Sequence, residues 1–290
     1  MRTAKKFTLA SLCIASLALL ACATTLKVQT VDTGIVKLAD SNIEYFSRGK
    51  GETIVLLSGG TLTVGYFDGL ANALAKAGYR VVGINFRGSG KSTGPSQGVT
   101  LQTMADDVAG VINSLKLSPV HVAGNDFGNR VARMLAASHP DLTRSVILLA
   151  AGGKIQPKPE AAHALMVMFN PASTDADVMA IMPYFVSNPA NAERVLAMMK
   201  PSRDPAAGPI EKAAPLETWW APPGKTKYLI VQGAEDQIAP PENGEILKKE
   251  LADRATLVNV PGAAHLLPLE QPDTTASHVI SFIRKLDRKS

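Results

Sequence analysis

From about residue 34 onward, short apolar runs alternate with helical patterns. Residues 35–38 and 43–46 read as an opening hairpin. Residues 53–57, 81–86, 120–123, 146–150, 228–231 and 256–260 read as buried strands, being short, rich in β-branched residues and mostly flanked by Gly, Pro or Asn. The clearest helix begins at Thr100, where Leu101, Met104, Val108, Ile112 and Leu115 recur on one face. This alternation predicts an α/β fold with a mostly parallel sheet covered on both faces, right-handed connections, and sites at the C-terminal ends of strands.

The alternation breaks between residues 152 and 223. This stretch has no convincing strand and several prolines, and it holds six of the nine methionines: Met166, Met168, Met179, Met182, Met198 and Met199. It is expected to be an inserted helical cap over the sheet's C-terminal edge, between a first core part (34–151) and a second (224–290). Methionine is apolar and adaptable, so these side chains either line a pocket for an oily substrate or simply bind the cap to the core.

The N-terminus changes the picture of the whole. Residues 1–21 combine a basic start (Arg2, Lys5, Lys6), an apolar stretch from about Phe7 to Leu20, and small residues around Cys22, as an export signal does. The apolar stretch falls short of the roughly 20 residues of a membrane span. Leu19-Leu20-Ala21-Cys22 resembles a bacterial lipobox, which implies cleavage before Cys22, lipid on its sulfur, and a tether over 22–33. An ordinary signal peptide is the alternative. The expectation is a lipid-anchored protein of the bacterial cell envelope, facing the periplasm.

Charge and cysteine content then exclude other classes. Arg2, Lys5 and Lys6 supply three of the five formal positive charges, so the remainder carries only +2, on scattered residues. No nucleic-acid partner is expected. Cys13 falls in the removed segment, which leaves Cys22 alone and rules out an intrachain disulfide or a cysteine metal site. With 46% hydrophobic and 19% charged residues, a folded core is expected rather than disorder.

The pivotal motif is Gly124-Asn125-Asp126-Phe127-Gly128, between a buried strand and a helix. A nucleophile elbow needs small neighbours around a strained central residue, and Gly124 and Gly128 meet that need. Aspartate is also a common helix N-cap, so the pentapeptide alone leaves two readings. Its partners decide: Asp236 follows the strand 228–231 and His265 follows the strand 256–260, in the chain order nucleophile, acid, histidine. Phe86-Arg87-Gly88-Ser89-Gly90-Lys91-Ser92-Thr93 imitates a phosphate loop. It has Asn85 where the first glycine should stand, and so reads as a structural turn.

From about Ile35 to the C-terminus the chain resembles the α/β-hydrolase superfamily, and Asp126 resembles the nucleophile of its epoxide hydrolase and haloalkane dehalogenase branches. The resemblance implies Asp126 as nucleophile, His265 as base and Asp236 as the acid that orients the imidazole. A carboxylate is already ionised and can displace a leaving group from saturated carbon, after which the histidine activates water against the alkyl ester. No cofactor or metal is needed. The oxyanion donors are the backbone N–H groups of Phe127 and of Gly60; the latter lies in Leu56-Leu57-Ser58-Gly59-Gly60-Thr61, where family members commonly carry His-Gly. Tyr184 is the candidate cap proton donor and His163 a lesser one, whereas Trp219 and Trp220 read as packing and hinge residues. Epoxide hydrolase-like action on a small hydrophobic substrate is the favoured expectation. A dehalogenase-like or other α/β-hydrolase activity is the alternative, and a non-catalytic ligand-binding protein on the same fold is the reading from another class.

Overall fold

A computed structural model of the chain describes residues 31–59, 62–95, 97–199 and 214–288. The expected export segment, Cys22 and its lipid, most of the tether, and Gly60 lie outside these residues. Among the described residues no helix is long and apolar enough to cross a membrane.

Eight strands form one sheet: β1 (Asp32–Lys37), β2 (Asn42–Arg48), β3 (Thr53–Leu57), β4 (Arg80–Ile84), β5 (Val120–Asn125), β6 (Thr143–Leu149), β7 (Lys227–Gly233) and β8 (Ala255–Val260). Their spatial order is β1-β2-β4-β3-β5-β6-β7-β8. β2 pairs antiparallel with both β1 and β4, and β3 to β8 run parallel. All eight expected strands are present, with ends shifted by up to three residues. β3 and β5 are buried along their whole length, as strands covered on both faces must be.

Between the strands lie α1 (Asp68–Lys76), α2 (Leu101–Ser114) and α3 (Phe127–Ser138). The helices α4 (Pro159–Phe169), α5 (Asp175–Ile181) and α6 (Ala192–Met199) separate β6 from β7. The chain closes with α7 (Glu242–Leu251), α8 (Leu267–Glu270) and α9 (Pro272–Asp287). α2 starts where its pattern predicts. The Thr100 side chain accepts from the Thr103 N–H at 3.1 Å, and the Thr103 hydroxyl accepts from the Thr100 N–H at 3.2 Å. Such reciprocal capping stabilises a helix start by about 1 kcal/mol.

The topology fixes where a site forms. The chain leaves β3 for β4 on one side and returns past β3 to β5 on the other, so loops diverge above the C-terminal ends of β3 and β5. At such a switch point a crevice opens outside the strands. Here those ends carry Ser58-Gly59 and Asn125-Asp126, and α4 lies over them.

Arg133 of α3 secures the insertion's two ends. Its fully buried guanidinium donates to the backbone oxygens of Gly152 (3.1 Å) and Trp220 (3.3 Å) and to Asn129. It also lies 4.6 Å and 4.9 Å from the ring centroids of Trp219 and Trp220. Burial, then the nearby Arg130 charge, lower its pKa to about 9, so it remains a cation at neutral pH. The segment 86–93 is a turn, as expected: the Arg87 guanidinium forms a buried pair with Asp107 at 2.7 Å, and the Ser92 hydroxyl donates to the Asn85 carbonyl at 2.8 Å.

The glycines around the elbow have little alternative. A Cβ on Gly124 falls 2.2 Å from the Gly128 carbonyl oxygen, and one on Gly128 falls 2.1 Å from that of Leu57. Gly124→Ala is expected to destabilise the fold by about 2–4 kcal/mol, because backbone has to move. In urea denaturation the control Gly65→Ala, whose Cβ has its nearest neighbour at 3.7 Å, should stay within about 0.5 kcal/mol of the parent.

Candidate active site

Asp126 stands at the junction of β5 and α3 with φ 51° and ψ −117°. A non-glycine residue there carries about 1–3 kcal/mol of strain. Neighbouring backbone holds it, since the Asp126 N–H donates to Leu149 O and the Asn129 N–H to Asp126 O. The carboxylate does not serve as the helix cap, because it makes no side-chain capping bond to α3. It is displayed instead at the positive end of the helix dipole.

Asp236 and His265 come from the loops after β7 and β8. His265 Nδ1 lies 3.0 Å and 3.2 Å from the two Asp236 oxygens, and its Nε2 lies 3.5 Å from Asp126 Oδ1. Asp236 is completely buried, and its Oδ1 also accepts from the N–H groups of Ile238 and Ala239 at 2.9 and 2.8 Å. The acid is therefore fixed before it orients the imidazole. The three residues named from the sequence meet in one site.

Their protonation follows from their neighbours. Burial alone would drive His265 towards the neutral form. The Asp236 charge, the Asp126 and Asp236 hydrogen bonds and the Asp126 charge outweigh it and push the pKa up to about 10. Burial likewise opposes ionisation of Asp126. The His265 hydrogen bond and charge, then Arg130 and the Phe127 N–H, hold its pKa below the usual carboxylate range. His265 is thereby biased towards its protonated form between the Asp126 and Asp236 side chains.

Around this triad the cavity is lined by Gly59, Leu62, Leu165, Met168, Phe169 and Phe185, with Asn125 and Leu266 completing the wall. Gly59 must lack a side chain, since a Cβ there falls 2.9 Å from Asp126 Oδ2. The Ser58 hydroxyl donates to Leu62 O at 2.6 Å, and the Leu62 N–H donates to Gly59 O at 3.1 Å. These bonds tie Ser58 and Gly59 to Leu62.

The cap residues divide differently from expectation. Tyr184 does not line the cavity: it packs, partly buried, against the core at the end of a 3-10 turn, Met182–Tyr184. Successive residues in such a turn point about 120° apart, and it is Phe185 that faces His265, edge to face at 6.1 Å. His163 lies on the exposed side of α4, opposite Ala164 and Met168. Of the cap methionines, Met168 lines the cavity, Met182 is buried in the cap, and Met166 is 70% exposed. Trp219 and Trp220 are buried at the Arg133 clamp and do not line the cavity.

Several contributors are absent from the sequence reading. The buried Asn125 amide reaches Leu149 O at 3.1 Å and His265 O at 3.4 Å. Gln232 accepts from the Ala151 N–H at 2.6 Å and donates to Ala151 O and Ala239 O, tying β6 to the Asp236 loop. A polar residue ending an apolar strand was the available signal for both. Among the described residues the buried Tyr66 hydroxyl has no hydrogen-bond partner, and burial followed by the charges of Glu270, Asp126 and Asp236 raises its pKa well above the usual value.

Sheet order, elbow and triad placement are those of the α/β-hydrolase fold. Residues 52–170 match the family described as alpha/beta hydrolase fold. The chain is 35% identical over 113 residues to AB hydrolase superfamily protein YisY of Bacillus subtilis, covering 38% of this chain and 42% of that one. It is 28% identical over 255 residues to 2-(acetamidomethylene)succinate hydrolase of Mesorhizobium japonicum, covering 81% and 89%. In structure it is similar to 2-hydroxy-6-oxo-6-phenylhexa-2,4-dienoate hydrolase of Rhodococcus, with TM-score 0.75 and 20% identity over 88% of this chain and 99% of that one. Sheet order and these likenesses give the chain the α/β-hydrolase fold.

The electrostatics can be tested directly. The folded pKa of His265 lies above its unfolded value of roughly 6.5. Protonated His265 therefore adds stability that is complete below about pH 6.5 and is lost as pH rises through about 10. Asp126→Asn removes one of the two supporting carboxylates. NMR of the His265 ring should show it titrating well below the parent in this variant, and an unchanged midpoint would mean that Asp126 does not support the imidazolium.

Proposed function

We propose that this α/β hydrolase opens small, apolar epoxides through a covalent alkyl ester on Asp126. The observation that carries the reading is an aspartate at the elbow, 3.5 Å from His265 Nε2 and facing an apolar cavity, with its pKa lowered and that of His265 raised by their mutual contact. The names of its relatives support hydrolysis in general and do not specify an epoxide.

Asp126 needs no base in the first step. Its carboxylate oxygen attacks a ring carbon, the C–O bond breaks, and the oxygen receives the proton held on His265 Nε2. Ester formation removes the Asp126 charge that had helped to raise the His265 pKa. The imidazole is thereby left neutral and becomes a competent base. It takes a proton from water, and the hydroxide adds to the ester carbonyl while the Phe127 N–H, at the start of α3, receives the negative charge. Collapse expels the diol, which is protonated by the carboxylic acid formed at Asp126. The site then holds its original carboxylate and imidazolium, and the net reaction is epoxide plus water to diol.

Two observations favour an epoxide over a halide. An opening epoxide consumes a proton, which His265 supplies even though Tyr184 and His163 are turned away from the cavity. A departing halide needs N–H donors, and neither Phe127 nor the buried Trp219 and Trp220 provide a side-chain donor there. The cavity, about 30 Å³, holds one or two waters, so entry of an organic substrate requires α4 to shift.

His265→Gln keeps the nucleophile and removes the base; its amide N–H and solvent stand in for the imidazolium proton, so ester formation slows while ester hydrolysis stops. Incubated with pooled epoxides, haloalkanes and activated esters, residues 23–290 of this variant should gain a stable mass on Asp126 from an epoxide, while the parent shows none. A haloalkane adduct would transfer the reading to dehalogenation. Adducts elsewhere, or from activated esters alone, would refute alkylation of Asp126. No adduct from any compound would favour the ligand-binding alternative.

A further inference from the structure

One carboxylate outside the triad ties the cap to the loop that carries the base. Glu270 closes α8, five residues after His265. Its Oε1 accepts from the Ser187 N–H at 2.7 Å, the Ser187 hydroxyl at 2.9 Å and the Asn188 N–H at 3.1 Å. Its Oε2 accepts from the N–H of Ala264, the residue before His265, at 2.8 Å. Ser187 and Asn188 belong to the insertion, between α5 and α6. One side chain thus satisfies backbone donors of two segments far apart in sequence.

The seam continues on both sides of this carboxylate. The Leu266 N–H donates to Phe185 O at 3.1 Å. The Ser187 hydroxyl is also 2.8 Å from Gly262 O, so its single proton is shared between that oxygen and Glu270. Phe185 both lines the cavity and meets the His265 ring edge to face. Residues 185–188 of the cap and 262–266 of the base loop are therefore joined by two backbone-directed bridges, with the imidazole between them.

We propose that Glu270 is a positioning residue that couples the cap to His265, so that the imidazole is aligned on Asp126 only while the cap is seated. Charge-assisted bonds from a carboxylate to N–H groups are stronger than neutral ones. Glu270 is well suited to the role because it accepts from both segments at once. Motion of the cap to admit substrate loosens the base loop, and reseating restores the geometry for water activation. The catalytic consequence rests on the proposed ester mechanism, whereas the mechanical coupling does not.

Glu270→Gln keeps the size but replaces one acceptor with an NH2 group that faces N–H donors. In amide hydrogen exchange, residues 183–189 and 262–267 should both exchange about tenfold faster or more, as expected for loss of a charge-assisted bond, with 227–233 unchanged. Ser187→Ala, a milder change confined to the cap, should also speed exchange in 262–267. With an adduct-forming epoxide, Glu270→Gln should slow ester hydrolysis more than ester formation. Acceleration in one segment alone, or in neither, would overturn the coupling. Coupled acceleration with an unchanged hydrolysis rate would overturn the positioning role. Should Asp126 form no adduct in the His265→Gln variant, the ester reading fails and the exchange pattern decides the coupling by itself.

Discussion

Asp126 can present its carboxylate because its backbone is held at a positive φ where strand β5 becomes helix α3. That conformation demands close approach from both sides: the Gly128 carbonyl against Gly124, and the Leu57 carbonyl against Gly128. No side chain fits in either gap, so the elbow, the end of β3 and the start of α3 form one rigid unit. Placement of the cavity follows, because the topological switch at β3 and β5 opens directly above this unit. The loops that carry Asp236 and His265 then only have to reach it, and Gly233 lets them pack close: a Cβ there would fall 2.3 Å from Ala264 O.

In the proposed ester mechanism, electrostatics turns this geometry into a cycle. There Asp236 is held in place by two backbone N–H groups, while the proposed ester forms and is cleared at Asp126. A serine nucleophile would be neutral at rest and would need a basic histidine at once. On the proposed reading, an aspartate nucleophile lets the resting histidine act as the acid and become the base once Asp126 is esterified. The same two residues thereby serve opposite halves of the reaction, and no separate proton donor from the cap is required.

Much of this was legible in the sequence, for identifiable reasons. Buried parallel strands leave continuous apolar runs, so all eight were visible, and the end shifts reflect ladders that continue into less apolar residues such as Asn125 and Gln232. The elbow glycines and the order Asp126, Asp236, His265 gave the triad, because each residue follows directly from a strand end. The cap was legible only as a break in the pattern. Which of its side chains face inward depends on short turns whose direction no periodicity encodes, and Phe185 rather than Tyr184 meets His265 for that reason. Arg133, Gln232 and Glu270 were missed because most of their partners are backbone groups, several of them distant in sequence. Such partners leave no motif.

The most direct test follows the oxygen atoms through a single turnover. Enzyme in excess over an epoxide, in water enriched in heavy oxygen, should release a first diol free of the label from that water. Peptide mass spectrometry should then find the label in the Asp126 carboxylate, because water attacks the ester carbonyl and the diol takes its new oxygen from Asp126. Label in the first diol, with Asp126 unchanged, would contradict the account by showing that water attacks the substrate directly and that Asp126 is never alkylated.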